Sequence, residues 1–164
     1  MCLIKNFINK IFIVLSLFVF STTLYSNELY ILPKEKNEAL EKIESLIKNS
    51  KEEIQIAVYN FSHKKISKQL IKAHKNGINV KVYFDSEKIK KDDELYKTLE
   101  KNGIKTIIIK DKLHTKLAIF DRKTVYFGSA NWTKKSFKEN YEILYFTDDK
   151  KIVKTLYKFL SDLN

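Results

Sequence analysis

The stretch that decides the fold is His114-Thr115-Lys116-Leu117-Ala118-Ile119-Phe120-Asp121-Arg122-Lys123-Thr124-Val125-Tyr126-Phe127-Gly128-Ser129-Ala130-Asn131. Two apolar runs, residues 117–120 and 124–127, flank Asp121-Arg122-Lys123, a pattern that predicts an antiparallel hairpin turning at those three residues. The sequence before it has a different rhythm. Ile54, Ile56 and Val58 alternate as in a strand, and Ser62 is placed to cap a helix carrying Ile66, Leu70, Ile71 and Ala73 that ends at Gly77. Val80, Val82 and Phe84 alternate again, and Asp92-Asp93-Glu94 open a helix with Leu95 and Leu99 on its apolar stripe and Gly103 at its end. Residues 104–109 form a β-branched run suited to a buried central strand. Further out, Ala39, Leu40, Ile43, Leu46 and Ile47 recur at helical spacing up to Asn49-Ser50. Beyond the hairpin, residues 142–146 read as a strand, and Ile152, Val153, Leu156, Phe159 and Leu160 as a closing amphipathic helix. Alternating β and α followed by a hairpin predicts an α/β fold, a mixed β-sheet flanked by helices on both faces.

The whole chain has 164 residues with 44% hydrophobic content, enough for one well-filled core, and no Pro/Gly-rich linker divides residues 27–164. A single cysteine, Cys2, excludes a disulfide scaffold and a cysteine-based zinc site. Residues 1–26 form a separate object. Lys5 and Lys10 precede an apolar run over 11–20 broken by Ser16, and Ser21-Thr22-Thr23 follow. That is a signal-peptide pattern with cleavage expected near Ser26, although Leu24 is bulky for its position; an uncleaved N-terminal anchor is the alternative. The run is shorter than the roughly 20 apolar residues a spanning helix needs. Either reading predicts an exported protein, periplasmic or attached to the cell envelope, with residues 11–24 available for membrane association. The formal charge of +11 becomes +9 once the two leader lysines are removed, which favours polyanionic partners.

Within the hairpin stretch, His114 and Lys116 are two apart on an extended segment and so share a face. Histidine is a nucleophile or proton carrier near neutral pH, and a neighbouring lysine supplies fixed positive charge for an oxyanion. The next strand delivers Gly128, which permits close backbone approach, with the Ser129 hydroxyl and Asn131 amide as neutral donors. A nucleophile, a cation and neutral donors on one edge suit phosphoryl transfer, where positioning and charge stabilisation carry most of the catalysis.

At these residues the sequence resembles the phospholipase D superfamily, whose signature is H-x-K-x4-D-x6-G-S-x-N. His114, Lys116, Asp121, Gly128, Ser129 and Asn131 match every fixed position. The resemblance extends over about residues 35–163. Tyr59-Asn60-Phe61-Ser62 and Asn140-Tyr141-Glu142 are similar to the family's small secreted endonucleases. It implies a phospholipase D-like fold and a site built from two motifs. A second copy is absent: His63-Lys64-Lys65 has the H-x-K shape, but no Asp or Gly-Ser-x-Asn follows at the required spacing, and His74 lacks the lysine. One motif per chain therefore implies a homodimer sharing one site. In that scheme one His114 forms a phosphohistidine while the partner's His114 protonates the leaving oxygen. Lys116 and Asn131 hold the non-bridging oxygens and Ser129 assists. Glu142 is expected to orient the His114 ring, as carboxylates do for catalytic histidines. Asp121 belongs to the motif as a turn residue without a chemical step. No metal and no other cofactor is expected.

The family leaves the phosphodiester open. Lys64, Lys65, Lys68 and Lys72 lie in a segment from 62 to 75 without an acid, and Lys134, Lys135 and Lys138 follow the Gly-Ser-x-Asn loop. Together with Trp132, read as a platform on which a base stacks, they point to a nucleic acid, single- or double-stranded. The leading expectation is a non-specific endonuclease for DNA or RNA. The alternatives are a membrane-associated phospholipid phosphodiesterase and a nucleic-acid-binding protein of DNA uptake with weak hydrolysis.

Overall fold

The computed structural model describes residues 25–89 and 93–163. The leader reading of residues 1–24 and the helix-opening Asp92 lie outside them. Seven strands make one sheet: β1 (Asn27–Leu32), β2 (Glu53–Val58), β3 (Asn79–Asp85), β4 (Lys105–Ile109), β5 (Lys116–Phe120), β6 (Thr124–Gly128) and β7 (Glu142–Thr147), in the order β1-β7-β6-β5-β2-β3-β4. β2, β3 and β4 run parallel, and the remaining neighbours pair antiparallel. The helices are α1 (Lys36–Asn49), α2 (Lys64–Lys75), α3 (Ser86–Ile89), α4 (Asp93–Lys101), α5 (Lys134–Lys138) and α6 (Lys150–Ser161).

The mixed, helix-flanked sheet is the predicted one, but its faces are covered unequally. α1, α2 and α4 bury Ala39, Ile43, Ile47, Ile66, Leu70, Leu95 and Leu99 on one face, over Ile54, Ile56, Val80, Val82, Phe120 and Leu144. On the other face α6 packs Val153 and Leu160 against Leu117, Ile119, Val125 and Tyr83. Gly77 (φ 92°) and Gly103 (φ 81°) end α2 and α4 in the left-handed conformation that glycine adopts without a Cβ penalty.

Two expectations are corrected and one strand is added. The apolar run at 104–109 is an edge strand, with nothing among the described residues paired beyond β4 and Ile108 48% exposed; a run of isoleucines does not distinguish a central from an edge position. The cap of α2 is His63, whose Nδ1 accepts from the Ile66 amide at 3.4 Å, one residue after the predicted Ser62. β1 was not singled out by the patterning, yet it pairs with β7 along its whole length.

The hairpin forms as predicted, with Phe120 opposite Thr124 and the Lys123 amide donating to the Phe120 carbonyl at 3.0 Å. Asp121 (φ 52°) and Arg122 (φ 53°) both take the left-handed conformation, as the mirror-image turns that match strand twist require. The pairings Val58↔Lys116 and Gly128↔Leu144 set the start of β5, the end of β6 and the start of β7 beside the C-terminal ends of the parallel strands. That end of the sheet carries the candidate site.

Candidate active site

His114 stands exposed just ahead of β5, and local backbone ties hold it there. The buried Asp85 carboxylate, at the end of β3, accepts from the Leu113 amide at 2.9 Å. Thr115 Oγ1 donates to the Ala57 carbonyl at 2.8 Å, and the Tyr59 amide donates to the Thr115 carbonyl at 2.8 Å. The segment is thus sewn to the ends of β2 and β3 through its backbone, which leaves the imidazole unencumbered. Its ring lies against Tyr59 at 4.5 Å between centroids, and Lys116 Nζ approaches Nε2 at 3.2 Å and Nδ1 at 3.3 Å. The Lys116 ammonium, with slight burial and Lys112 behind it, holds the His114 imidazole below its ordinary pKa. Burial likewise lowers the Lys116 ammonium from the usual lysine value, while Glu142 opposes the shift. A neutral ring beside a cation has a free lone pair for attack and a charge ready for the resulting oxyanion.

The Gly-Ser-x-Asn loop arrives from β6. A Cβ at Gly128 would collide with the Ile143 carbonyl, so the glycine serves the close approach of β6 to β7. Ser129 Oγ donates to Glu142 Oε2 and accepts from the Ile143 amide at 3.1 Å, while Asn140 Nδ2 donates to Glu142 Oε1 at 3.1 Å. Among the described residues the expected contact from Glu142 to His114 is not made: the carboxylate holds Ser129 and Asn140 instead. Asn131 Oδ1 accepts from the Asn60 amide at 3.1 Å. Because a backbone N–H needs an acceptor, this contact fixes the flip of the amide and leaves its NH2 as the donor group.

Two other predicted residues are placed elsewhere. Asp121 sits at the opposite end of the hairpin, where its oxygens accept from the amides of Lys51 (2.8 Å), Glu52 (2.8 Å) and Glu53 (3.0 Å). Partial burial pushes its carboxyl up, but the three amides and nearby Lys123 outweigh this and hold it below its ordinary value. The motif aspartate is thus a clamp between the hairpin turn and the start of β2. Trp132 is fully buried, edge-on to Phe61 at 5.5 Å and tilted against Tyr126 at 5.8 Å, so it offers no face on which a base could stack. Its carbonyl accepts from the amides of Ser62 and His63, both at 2.9 Å, pinning the 59–63 loop to the Gly-Ser-x-Asn loop.

The lysines divide. Lys64 and Lys65, at the start of α2, and Lys134 and Lys138, on α5, line one groove of about 500 Å³ with Ser62 and His63. Lys65 also pairs with Glu44 at 2.8 Å. Lys135 is exposed on the same short helix, whereas Lys68 and Lys72 continue along α2 away from the site end. Tyr59, Asn60 and Asp85 carry positioning work that the sequence reading did not assign. For Asp85 the available signal was an acid closing the strand in which Val80, Val82 and Phe84 alternate. Among the described residues, no group of three or more His, Cys, Asp or Glu side chains is arranged to hold a metal ion.

Comparison with known proteins agrees with this fold. The family model described as "Cardiolipin synthase, PLD-like domain" matches residues 43–163. NucT from Helicobacter pylori is 30% identical with a TM-score of 0.78, over 85% of this chain and 96% of that one. Nuc from Salmonella typhimurium, a phospholipase D family member, is 24% identical with a TM-score of 0.76, over 85% of this chain and 94% of its own, and speaks for the fold alone. Mitochondrial cardiolipin hydrolase from Xenopus laevis is 28% identical over 107 residues, 64% of this chain and 51% of that protein. The chain spans about half the length of the curated relatives it matches.

Proposed function

The chain belongs to the phospholipase D-like family; on this premise we propose that it is a phosphodiester hydrolase, an exported, metal-independent endonuclease acting on DNA or RNA with little sequence preference. The observation that carries the reading is the exposed His114 ring within 3.2 Å of the Lys116 ammonium, at the sheet end that also presents Ser129 and Asn131. In the proposed reaction an imidazole nitrogen of His114 forms a bond to phosphorus as the bond to the leaving oxygen breaks. The partner's His114 gives that oxygen its proton, then takes a proton from the water that displaces the histidine. Lys116 and the Asn131 amide meet the non-bridging oxygens. Two coupled histidines with opposite tasks titrate as a pair.

A second copy is needed because one chain supplies one nucleophile, and a face next to the site supports its docking there. Among the described residues α6 leaves β7 and β1 uncovered, with Leu29 56%, Ile31 50% and Ile143 52% exposed, next to Phe127 and Tyr145 in register. The groove of Lys64, Lys65, Lys134 and Lys138 supports a nucleic-acid backbone as substrate, since phosphate contacts are sequence-blind.

One observation favours a second reading. A groove of about 680 Å³ runs from His114 and Lys116 along Leu117, Phe127, Ile152, Leu156 and Phe159, and its apolar lining suits an acyl chain. Incubating the purified protein with single- and double-stranded DNA, RNA and phospholipid, all in EDTA, separates the readings. Nucleic-acid cleavage that His114→Ala abolishes is the expected result; head-group release without cleavage overturns it. A monomer with full activity contradicts the shared site.

A further inference from the structure

α3 lies outside the motif, yet its backbone is tied to the segment that carries His114. It follows β3 directly and spans Ser86 to Ile89. The buried Asp85 carboxylate joins the two. Its Oδ2 accepts from the Leu113 amide at 2.9 Å, and its Oδ1 from the amides of Glu87 at 3.0 Å and Lys88 at 3.2 Å. Moving either backbone away would leave a buried acceptor unsatisfied, so Lys88 and the residue before His114 are held in one frame.

The side chains converge as well. Tyr59 lays its ring against the His114 imidazole at 4.5 Å between centroids. Lys88 Nζ lies 4.8 Å from the centroid of that same tyrosine ring, and Lys116 Nζ 5.3 Å. One aromatic ring thus gathers the nucleophile with two cations, from β5 and α3, through the attraction of an ammonium to a π face. Lys88 is half-buried, and among the described residues neither it nor Lys116 has a carboxylate within ion-pair distance. A lysine seated on a ring keeps N–H donors for an incoming anion.

The neighbouring acids keep their charges. Asp85 acts on His114, Glu142 acts on Lys116, and Glu87 and Asp111 are close in sequence and exposed. At His114 the Lys116 charge comes first and outweighs Asp85, so that the ring is held below its ordinary pKa. What distinguishes Lys88 is therefore its placement, a second ammonium fixed beside the nucleophile on a ring they share. Lys116 touches both imidazole nitrogens, whereas Lys88 touches Tyr59 and reaches the imidazole only by way of that ring. That separation suits neighbouring phosphates better than two oxygens on one phosphorus.

We propose that Lys88 binds a substrate phosphate adjoining the one that His114 attacks, while Lys116 holds the scissile group. A nucleic-acid backbone supplies such a neighbour beside its cleavable bonds, and an isolated phosphodiester has none. Lys88 therefore sets a preference for a polymer. The inference rests on the nuclease reading and names a residue outside the motif that tunes it.

The test compares kcat/KM of the full chain, in EDTA, for a thymidine dinucleotide with one phosphodiester and a trinucleotide with two. The ratio of trinucleotide to dinucleotide isolates the adjoining phosphate, because damage to the fold or to His114 lowers both alike. Wild type is expected to favour the trinucleotide. In Lys88→Met the ratio should fall about fivefold, the worth of one modest ion pair. Lys88→Arg should restore it, since a guanidinium keeps both the charge and the seat on the ring. Lys88→Gln serves as a second variant should methionine disturb folding. An unchanged ratio in the folded Met and Gln variants overturns the proposal, as does a loss that arginine does not restore. If wild type cuts neither oligonucleotide, the nuclease reading falls, and the subsite is read from binding. NMR titration of His114→Ala with both oligonucleotides, with and without Lys88→Met, then gives the ratio of affinities. A fall on losing Lys88 supports the subsite; an unchanged ratio, or no binding of either oligonucleotide, overturns it.

Discussion

The chain contains two H-x-K triplets, and the backbone beneath them gives the same letters different work. At residues 63–65 the triplet opens a helix. His63 Nδ1 accepts from the Ile66 amide, its ring packs edge-on to Phe137 at 5.5 Å, and Lys65 pairs with Glu44. On a helix, residues two apart do not face one another, so no lysine can sit over that ring through spacing alone. At residues 114–116 the backbone is extended, residues two apart share a face, and Lys116 Nζ lies within 3.3 Å of both ring nitrogens. Both imidazoles are held below their ordinary pKa, but for different reasons: burial comes first at His63, the Lys116 charge first at His114. A motif written as spacing is therefore a statement about backbone conformation, and it holds chemistry where the conformation is a strand.

Substitutions can break this contrast, and the largest effect belongs to the nucleophile. His114→Ala should lower kcat at least roughly a thousandfold while leaving the thermal midpoint in place, because the ring is exposed and packs on little besides Tyr59. Lys116→Met follows, with a fall in kcat of about a hundredfold from the lost oxyanion charge. It also has a titration signature. Removing a cation makes protonation of His114 easier, so in an NMR titration its imidazole should move up toward the ordinary value, while His63, shifted first by burial, should not follow.

Asp121→Ala tests the part of the motif that lies far from both histidines. Losing the acceptor for three amides should cost about 2 kcal/mol in denaturant unfolding. A carboxyl depressed in the folded state contributes stability above its unfolded pKa and loses it as pH falls through the folded value. The gap between wild type and variant should therefore close in acid. The smallest effect is expected from His63→Ala: about 1 kcal/mol of stability for a lost helix cap, with kcat within a few-fold of wild type. A thousandfold loss of kcat in that variant would erase the distinction between the triplets.

Much of this was legible in the sequence where period and spacing correspond to one backbone state. The alternation at Ile54–Val58 and Val80–Phe84 marks strands, Gly77 and Gly103 mark helix ends, and 117–127 can hardly be anything other than a hairpin. Legibility failed where partners come from far along the chain. Whether residues 104–109 are central or at an edge depends on what pairs beyond them. Trp132 is core because Phe61 and Tyr126 enclose it, 71 and 6 residues away. Glu142 was read as the partner of the His114 ring, but the residue it meets, Ser129, is set by the register of β6 against β7. Asp121 was assigned to the turn, and its clamp on the amides of 51–53 needed the β2–β5 pairing to be seen.

The measurement that bears most directly on the central claim is covalent trapping. Wild-type protein turning over a DNA substrate labelled at phosphorus, in EDTA, is quenched in alkali, which preserves a phosphorus–nitrogen bond, and the labelled peptide is mapped. The account predicts label on His114, none on His63, and none at all in His114→Ala. Label on His63, or cleavage that persists in His114→Ala with no trapped species, would contradict it.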